Sequence, residues 1–574
     1  MLFASRLRIL WLASTQVQQE RPCTRAPALA ISDAEWRWAL TVSLMVLGLT
    51  TLPYLLAWML TPPGHHFTGL LPYLADGNTY LAKMEQGRRG AWLYTLAYSP
   101  EPHDGAFVWG LFLLLGKLAG LLHLPNIIVL HAARLGAGLA ALLMAYAFYA
   151  FFTGSVAMRR LAFLLVACTS GTGWFFTLLG AKHVLGEFPV DIHFPDATLF
   201  WSIYAFPNYS FSAALMLACT LLVLLAFRRN SMLPSVWAGL AGAALAVTHP
   251  SILVVYATLT LYLALLWWRR GQFPRRELRL ALPFGLLSAP AVVYETWVLH
   301  ANWAFKAFTD QNFNHSPGVL TLLVSFGVLL WLAWKGAPPL WRRSHNEPAL
   351  PVLWTFLVPV LLYTPVSVQR RFLEGWNVPM SLLVAFGLVT WLFPRLRHAP
   401  ALQALLVRER MAYDPRRWKR FVLTLVLALL IPSNLIILAG SVALAAAHAP
   451  HIYLSPGENG ALEWLRANSR PDEVVLSGLD LGNRIPAQAG NRVFFGHWSE
   501  SIYAGAKAEL VVRFFEDRMS DEERRDLLRR YRIAYIWHGR EEQRLGRLDP
   551  ARVPYFTPVY RSEDVTLYRV ELSP

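Results

Sequence analysis

The chain has 574 residues, of which 55% are hydrophobic and only 15% are charged, and its mean hydropathy is +0.37. Soluble domains carry about a quarter charged residues, so the composition excludes an ordinary soluble protein. The formal net charge is +16. The basic residues are concentrated in short loops between apolar stretches, which is the orientation signal of membrane proteins and argues against a nucleic-acid partner.

Apolar stretches long enough to cross a bilayer, about 20 residues each, follow one another along most of the chain. Residues 1–37 precede them as a basic tail that we expect to be cytoplasmic. Residues 38–447 are predicted to form an α-helical, polytopic transmembrane domain with about eleven crossings. The predicted crossings are 39–60, 127–152, 161–179, 210–227, 236–247, 252–268, 280–299, 320–334, 350–366, 378–393 and 421–447.

The charge of the loops predicts their side of the membrane. The basic loops at 228–229, 269–279, 335–343 and 395–420 should be cytoplasmic. The alternating loops, which include the first loop (61–126), the second loop (181–209) and the arginine loop (367–377), should then be external. Residues 107–122 are apolar but short and contain Lys117. A crossing there would separate the first and second loops, so we predict an interfacial helix instead.

After His448 the pattern changes to amphipathic helices that alternate with short strand-like runs. This alternation predicts a C-terminal α/β domain (448–574), which the loop parity places outside the membrane. Two glycine-containing segments in it, GLDLG and GHW, are interpreted as structural turns.

Asp76 stands near the centre of the polar stretch LLPYLADGNTYLAKMEQG in the first loop. An ionisable group close to the membrane surface is costly unless it is hydrated or paired, and is therefore a functional candidate. If the stretch is helical, Tyr80 and Lys83 share its face and are candidate substrate-binding residues. The alternative is a solvated loop carboxylate.

The second loop contains Asp191, His193 and Asp196 in a D-x-H-x-x-D pattern. These residue types can bind a divalent cation such as Mg²⁺ or Mn²⁺, and either carboxylate could act as a base. An ordered structural loop is the alternative interpretation.

The arginine loop contains Arg370, Arg371 and Glu374 in the run QRRFLEG. Arginine recognises phosphate through its planar fork, so this pair could bind a lipid phosphate. Arg370, Arg371 and Glu374 are therefore candidate substrate-binding residues. A salt bridge to Glu374 or contact with lipid headgroups is the alternative. His249, in the turn VTHPS, is a further candidate substrate-binding residue, although a structural role in the turn is the simpler interpretation.

The layout resembles the GT-C superfamily of polyprenyl-phosphate-sugar-dependent membrane glycosyltransferases. The resemblance is carried by one span, a long loop with an acidic residue in ADGNTYLAKMEQG, an interfacial helix, many further spans and an external α/β domain. His249-Pro250 and the QRRFLEG loop are also similar. Many members have a paired acidic motif in the first loop, whereas here Asp76 is followed by Gly77.

The resemblance implies that Asp76 is the catalytic base of an inverting sugar transfer and that Arg370 and Arg371 steady the phosphate of the leaving lipid. It implies a polyprenyl-phosphate sugar as donor, a glycan, lipid or protein as acceptor, and contact with membrane lipids. A non-catalytic scaffold and a lipid or polysaccharide transporter are the alternatives. The compact loops are compatible with a bacterial plasma membrane.

Overall fold

The structure is a computed structural model that describes residues 30–180, 185–342, 346–397 and 415–572. Most of the predicted N-terminal tail lies outside these ranges. The first described helix begins earlier than predicted, at Asp33, because Ser32 and Glu35 form a reciprocal capping box that satisfies its first free N–H groups.

Helices fill the described chain from residue 33 to residue 446. Short 3-10 segments lie at Pro195–Ala197 and Gln369–Leu373, and a π-helical segment at Leu388–Leu392. The α-helices are α1 (Asp33–Met59), α2 (Leu74–Arg88), α3 (Gly110–Leu121), α4 (Asn126–Phe152), α5 (Val156–Cys168), α6 (Gly173–Leu178), α7 (Val190–His193), α8 (Leu199–Ala205), α9 (Pro207–Arg229), α10 (Leu233–Ala246), α11 (Ile252–Arg270), α12 (Arg275–Ala301), α13 (Trp303–Gln311), α14 (Val319–Gly336), α15 (Pro338–Trp341), α16 (Ala349–Leu361), α17 (Asn377–Gly387), α18 (Phe393–Arg397), α19 (Pro415–Leu430) and α20 (Pro432–Ala446).

The prediction of a polytopic helical membrane protein is confirmed, but fewer helices than predicted are long enough to cross. Among the described residues, eight helical stretches have the length and apolarity of a span. A ninth exists if Arg420–Leu430 and Pro432–Ala446, which meet at an angle of 44°, count as one. The predicted crossings 236–247 and 350–366 correspond to α10 and α16, which have 14 and 13 residues. At 1.5 Å per residue each extends about 20 Å, less than the hydrocarbon thickness of about 30 Å.

The segment predicted to be interfacial contains α3, a helix of only 12 residues. It packs closely against α2. A Cβ atom at Gly116 would lie 1.9 Å from the backbone oxygen of Met84, and one at Gly87 would lie 2.2 Å from that of Leu113. The two glycines therefore allow the backbones of α2 and α3 to touch.

The loops that were predicted to be external lie together at one end of the helical bundle. Arg370 of the arginine loop donates to Asn314 at 2.9 Å, and Asn302 donates to the backbone oxygen of Asp104 in the first loop at 3.0 Å. Basic loops meet at the other end, where Arg228 pairs with Glu347 at 2.7 Å. This segregation agrees with the predicted alternation of the loops.

The strands are β1 (His66–Phe67), β2 (Tyr453–Leu454), β3 (Val474–Leu476), β4 (Arg492–Val493), β5 (Ile533–His538), β6 (Phe556–Arg561) and β7 (Thr566–Val570). Five of them form a mixed sheet in the C-terminal domain, in the order β4-β3-β5-β7-β6. In this sheet β3 is parallel to β4 and β5, and β7 is antiparallel to β5 and β6. A separate two-stranded ribbon pairs β1 of the first loop with β2 at the start of this domain. Apolar side chains from the sheet and its helices form the domain's core. The α-helices of the C-terminal domain are α21 (Pro456–Asn468), α22 (Leu479–Gln488), α23 (Ala504–Phe515), α24 (Asp521–Arg530) and α25 (Arg540–Leu545).

The C-terminal domain is joined to the first loop by polar contacts as well as by the ribbon. Asn78 on α2 donates to the side chain of Asn483 at 2.8 Å, and Arg89 donates to the backbone oxygen of Ala489 at 2.7 Å. The N–H of Val493 donates to the oxygen of Ala97 at 3.1 Å. The domain therefore covers the start of α2, where Asp76 lies.

Candidate active site

Asp76 occupies the first turn of α2, where the positive end of the helix dipole favours a carboxylate. The preceding Tyr73 has φ 47°, a left-handed conformation that is rare for an aromatic residue and that is usually retained at functional sites. Gly77 faces Leu70, whose methyl groups would lie 2.8 Å from an added Cβ. A side chain at position 77 would therefore displace the methyl groups of Leu70.

One side chain of the C-terminal domain reaches Asp76. The Nε2 atom of His497 lies 3.5 Å from Asp76 Oδ1. The Asp76 side chain retains 41% of its accessible surface, so an incoming group can still reach it. Desolvation raises the pKa of Asp76, but the contact with His497 and the charges of Arg371 and Arg370 outweigh it, and the net pKa is below the ordinary value. Asp76 is therefore ionised at neutral pH.

The two arginines of the arginine loop point into the same region. Arg371 donates to the hydroxyl of Tyr209 at 3.1 Å and lies 3.6 Å from a carboxylate oxygen of Asp196. Arg370 donates to Asn314, and its guanidinium lies over the ring of Phe194. Their charges act on Asp76 from the side of the bundle, opposite to the C-terminal domain.

Several buried polar atoms around Arg371 have no hydrogen-bonding partner among the described residues. They are both oxygens of Glu374, both oxygens of Asp196, Oδ1 of Asn208 and Nε2 of His249. Buried polar atoms in native proteins are nearly always hydrogen-bonded, and exceptions indicate a missing ligand, ion or water. This set, together with Arg370, Arg371 and Tyr209, is called the polar cluster below.

Burial raises the pKa of Glu374 well above its ordinary value, the charge of Asp196 raises it further, and that of Arg371 opposes the shift. Burial therefore favours the protonated form of Glu374. Burial also lowers the pKa of His249 well below its ordinary value, and Arg371 adds to that effect.

The structure brings together most of the residues singled out in the sequence. Tyr80 stacks on Phe112 with ring centroids 4.2 Å apart. The charges of Asp76 and Arg371 both act on the pKa of its hydroxyl, Asp76 raising it and Arg371 lowering it. His249 lies beside Tyr209, with ring centroids 6.1 Å apart. Tyr80 is thus near Asp76 and Arg371, and His249 belongs to the polar cluster.

Lys83 does not face this region, which corrects its assignment as a substrate-binding residue. Its side chain is only 1% exposed, and its ammonium pairs with Glu500 of the C-terminal domain at 2.5 Å. Tyr94 donates to the other oxygen of Glu500 at 2.8 Å. Lys83 therefore connects α2 to the C-terminal domain.

The D-x-H-x-x-D residues do not converge on one point. Asp191 is buried and accepts the Ser433 hydroxyl at 2.6 Å and the backbone N–H groups of Gly171 and Gly173, so it anchors the second loop. His193 is exposed and packs beside Phe194, while Asp196 faces Arg371. Within the described ranges no three His, Cys, Asp or Glu residues form a cation-binding group. These residues do not fit the predicted Mg²⁺ or Mn²⁺ site.

Two residues near Asp76 and Arg371 were not selected as candidates from the sequence. His497 belongs to the GHW segment interpreted as a structural turn, and Tyr209 begins a hydrophobic helix. No local pattern marks either one, because each acquires its role through contacts with residues distant in the sequence.

A cleft of about 270 Å³ opens between the start of α2 and the C-terminal domain. Ala75 and Asn78 line one wall, and Asn483, His497 and Trp498 line the other. The Trp498 side chain is largely exposed. The cleft thus opens beside Asp76, since Ala75 and His497 both line it, while Arg370 and Arg371 act on the same carboxylate. The arrangement is suited to removing a proton at Asp76 and holding an anion at the arginines.

Comparisons with known proteins locate the fold. A sequence family of unknown function, DUF6541, matches residues 369–572, from the arginine loop through the C-terminal domain. No curated protein has a significant sequence match to the chain.

Similar solved structures cover most of the chain. The archaeal oligosaccharyltransferase AglB from Archaeoglobus fulgidus, in complex with an inhibitory peptide and a dolichol-phosphate, is 13% identical with a TM-score of 0.52, over 88% of this chain and 70% of that one. The apo form of the A. fulgidus enzyme is 14% identical with a TM-score of 0.53, over 89% and 70%. The arabinofuranosyltransferase AftD from Mycobacteria is 15% identical with a TM-score of 0.51, over 96% of this chain but 40% of that one. The protein therefore has the fold of the GT-C glycosyltransferases, as its loop layout predicted.

Proposed function

We propose that the protein is a membrane glycosyltransferase that moves a sugar from a polyprenyl-phosphate donor to an acceptor at the external face of the membrane. The observation that carries the proposal is the juxtaposition of Asp76 with Arg371 and Arg370. A half-exposed carboxylate whose pKa is lowered lies within the electrostatic influence of two guanidinium groups, whose surroundings contain unpartnered polar atoms among the described residues.

In the proposed reaction, Asp76 accepts the proton of an acceptor hydroxyl or amine as that group attacks the anomeric carbon of the donor sugar. The bond from the anomeric carbon to the phosphate oxygen breaks, and polyprenyl phosphate leaves with the bonding electrons. Attack opposite the leaving group inverts the anomeric configuration. General-base catalysis contributes about 10²–10⁴-fold in rate.

The negative charge on the departing phosphate is assigned to Arg371 and Arg370. Preorganised cations stabilise developing charge strongly in a site from which water is partly excluded. Arg371 is held in place by Tyr209 and Asp196, and Arg370 by Asn314 and Phe194. Neither guanidinium has to be reorganised when the phosphate arrives.

The solved structures support the substrate class. The A. fulgidus enzyme was captured with a dolichol-phosphate and an inhibitory peptide, and AftD is named as an arabinofuranosyltransferase. A lipid phosphate at the arginines and a glycan, lipid or protein acceptor in the cleft follow as the substrates proposed here. A plasma-membrane location, bacterial and with the N terminus cytoplasmic, belongs to the same proposal.

The direct test is sugar transfer from a polyprenyl-phosphate donor in membranes containing wild type, Asp76→Asn or Asp480→Asn. Asp480 is a matched control because it is a half-exposed carboxylate that lines the same cleft but pairs with His451. We expect Asp76→Asn to reduce transfer by about a hundredfold or more and Asp480→Asn to change it by less than about threefold.

Three other outcomes are informative. Equal transfer by wild type and Asp76→Asn would contradict the assignment of the base. Donor movement across vesicles without transfer would favour the transporter, and the absence of both activities would favour a scaffold that presents the C-terminal domain.

A further inference from the structure

The C-terminal domain contributes a side chain whose protonation is fixed by its own backbone. The His497 side chain is 90% buried, since only 10% of its surface is accessible. Its Nδ1 atom accepts the backbone N–H of Ser499 at 3.1 Å and that of Glu500 at 3.2 Å. The turn is closed by Ser501, whose hydroxyl oxygen accepts the N–H groups of Gly496 and His497, each at 3.2 Å.

This network determines the tautomer of His497. A ring nitrogen that accepts two amide protons carries a lone pair, so the proton of the neutral ring resides on Nε2. Nε2 is the atom that faces Asp76 Oδ1 at 3.5 Å. His497 is therefore a hydrogen-bond donor towards Asp76.

The same network excludes two other roles. Because Nε2 already carries a proton, His497 cannot remove one from an acceptor on that side. Conversion to imidazolium would require a proton on Nδ1 and the loss of both backbone hydrogen bonds, so His497 is not a relay that takes the proton from Asp76.

We propose that His497 is a positioning residue for Asp76, which holds Oδ1 through its Nε2–H and leaves Oδ2 directed to the acceptor. The proposal rests on the proposed function of Asp76 as the base. Among the described residues no other group donates a hydrogen bond to either oxygen of Asp76, so the approach of His497 to Oδ1 at 3.5 Å is what distinguishes the two oxygens. His497 lines the cleft on the side of the C-terminal domain, so that domain completes the active site.

The groups that face Asp76 determine its response to pH. His497 approaches from the C-terminal domain, Arg371 and Arg370 from the arginine loop, and Lys83 acts along α2, although Glu500 pairs with it. The nearby hydroxyls belong to Tyr73, Tyr80 and Tyr209. Removing the donor at 497 while these groups remain should raise the pKa of Asp76.

The test compares His497→Gln with His497→Leu in the full-length protein. The amide nitrogen of glutamine can reach the position of Nε2 and donate to Asp76, whereas leucine has no donor. We expect His497→Leu to lower kcat about 10–100-fold with little change in KM for the donor. In the plot of kcat against pH, the midpoint of the acidic limb, which reports the pKa of Asp76, should rise by about one unit. His497→Gln should retain most of the wild-type kcat and the wild-type midpoint of the acidic limb.

A second measurement does not depend on activity. Infrared difference spectroscopy, with Asp76→Asn as the reference, reports the ionisation of the Asp76 carboxylate directly. We expect its pKa to rise by about one unit in His497→Leu and to remain near the wild-type value in His497→Gln.

Identical pKa values in wild type and His497→Leu would overturn the positioning role, whatever the transferase assay shows. Equal losses of activity in both variants with an unchanged pH profile would also overturn it and would indicate a structural role. The proposed function fails separately, if Asp76→Asn transfers sugar as well as wild type.

Discussion

At the scale of single residues, ionisation state separates the carboxylates of the site. Asp76 is accessible and its pKa is lowered, chiefly because His497 and the arginines outweigh desolvation. Glu374 is enclosed, and burial raises its pKa. The first is suited to accept a proton, whereas burial favours the protonated form of the second.

Replacement of Glu374 by glutamine tests this division. Because burial favours the protonated form of Glu374, the isosteric amide should keep sugar transfer within about threefold of wild type, well below the effect expected of losing a general base. A loss as large as that of Asp76→Asn would contradict the assignment.

The raised pKa of Glu374 also predicts that the stability of wild type, relative to Glu374→Gln, depends on pH. The folded state keeps the Glu374 proton that the unfolded state releases above its ordinary pKa, so this residue makes wild type less stable as pH rises through that region. Glu374→Gln removes the effect, and its advantage in Tm over wild type should grow between pH 4 and pH 7. A constant difference in Tm would show that Glu374 is ionised in the folded protein.

Sequence alone singled out Asp76, Arg370 and Arg371 as candidates, because polar residues in a predominantly apolar chain are conspicuous. It could not identify His497, whose role depends on a turn closed by Ser501 and on docking of the C-terminal domain. It also misassigned Lys83, since the partner that neutralises it, Glu500, lies in another domain. Long-range pairing leaves no local pattern.

At the scale of elements, hydropathy predicted where most helices lie but not where they break. The stretch 161–179 is interrupted between α5 and α6, and 421–447 bends before Pro432 because proline cannot donate to the preceding turn. The close contact of α2 with α3 was likewise not predicted, since it depends on which faces of the two helices meet.

Gly116→Ala tests that contact. Its Cβ would lie 1.9 Å from the Met84 oxygen, so α3 must move away from α2, and the protein should lose about 1–3 kcal/mol of stability. Gly136→Ala on α4 is the matched control, because nothing lies within 4 Å of its Cβ, and alanine there should be neutral or stabilising by up to about 1 kcal/mol. Thermal unfolding in detergent distinguishes the two, and equal Tm values would refute the contact.

At the scale of the whole molecule, the C-terminal domain and the membrane part act as one unit around the first loop. The buried pair of Lys83 and Glu500 lies at this junction, with side chains 1% and 7% exposed. Removing one partner of a buried pair leaves an uncompensated charge and typically costs about 3–5 kcal/mol.

We therefore expect Lys83→Met to lower the unfolding temperature strongly and the double variant Lys83→Met/Glu500→Gln to recover much of the loss. Lys306→Met is the matched control, because its pair with Asp310 is exposed and should be worth less than about 1 kcal/mol. If Lys83→Met lowered the unfolding temperature no more than Lys306→Met, the stability of the junction would not depend on the pair of Lys83 and Glu500.

The measurement that tests the central claim most directly is the stoichiometry of products formed from a polyprenyl-phosphate sugar donor. The account predicts that wild type releases one polyprenyl phosphate for each glycosylated acceptor. Asp76→Asn and Arg371→Ala should each lower both products together by about a hundredfold or more. Release of the lipid phosphate without glycosylated acceptor, or equal product formation by wild type and both variants, would contradict the assignment of this site to sugar transfer.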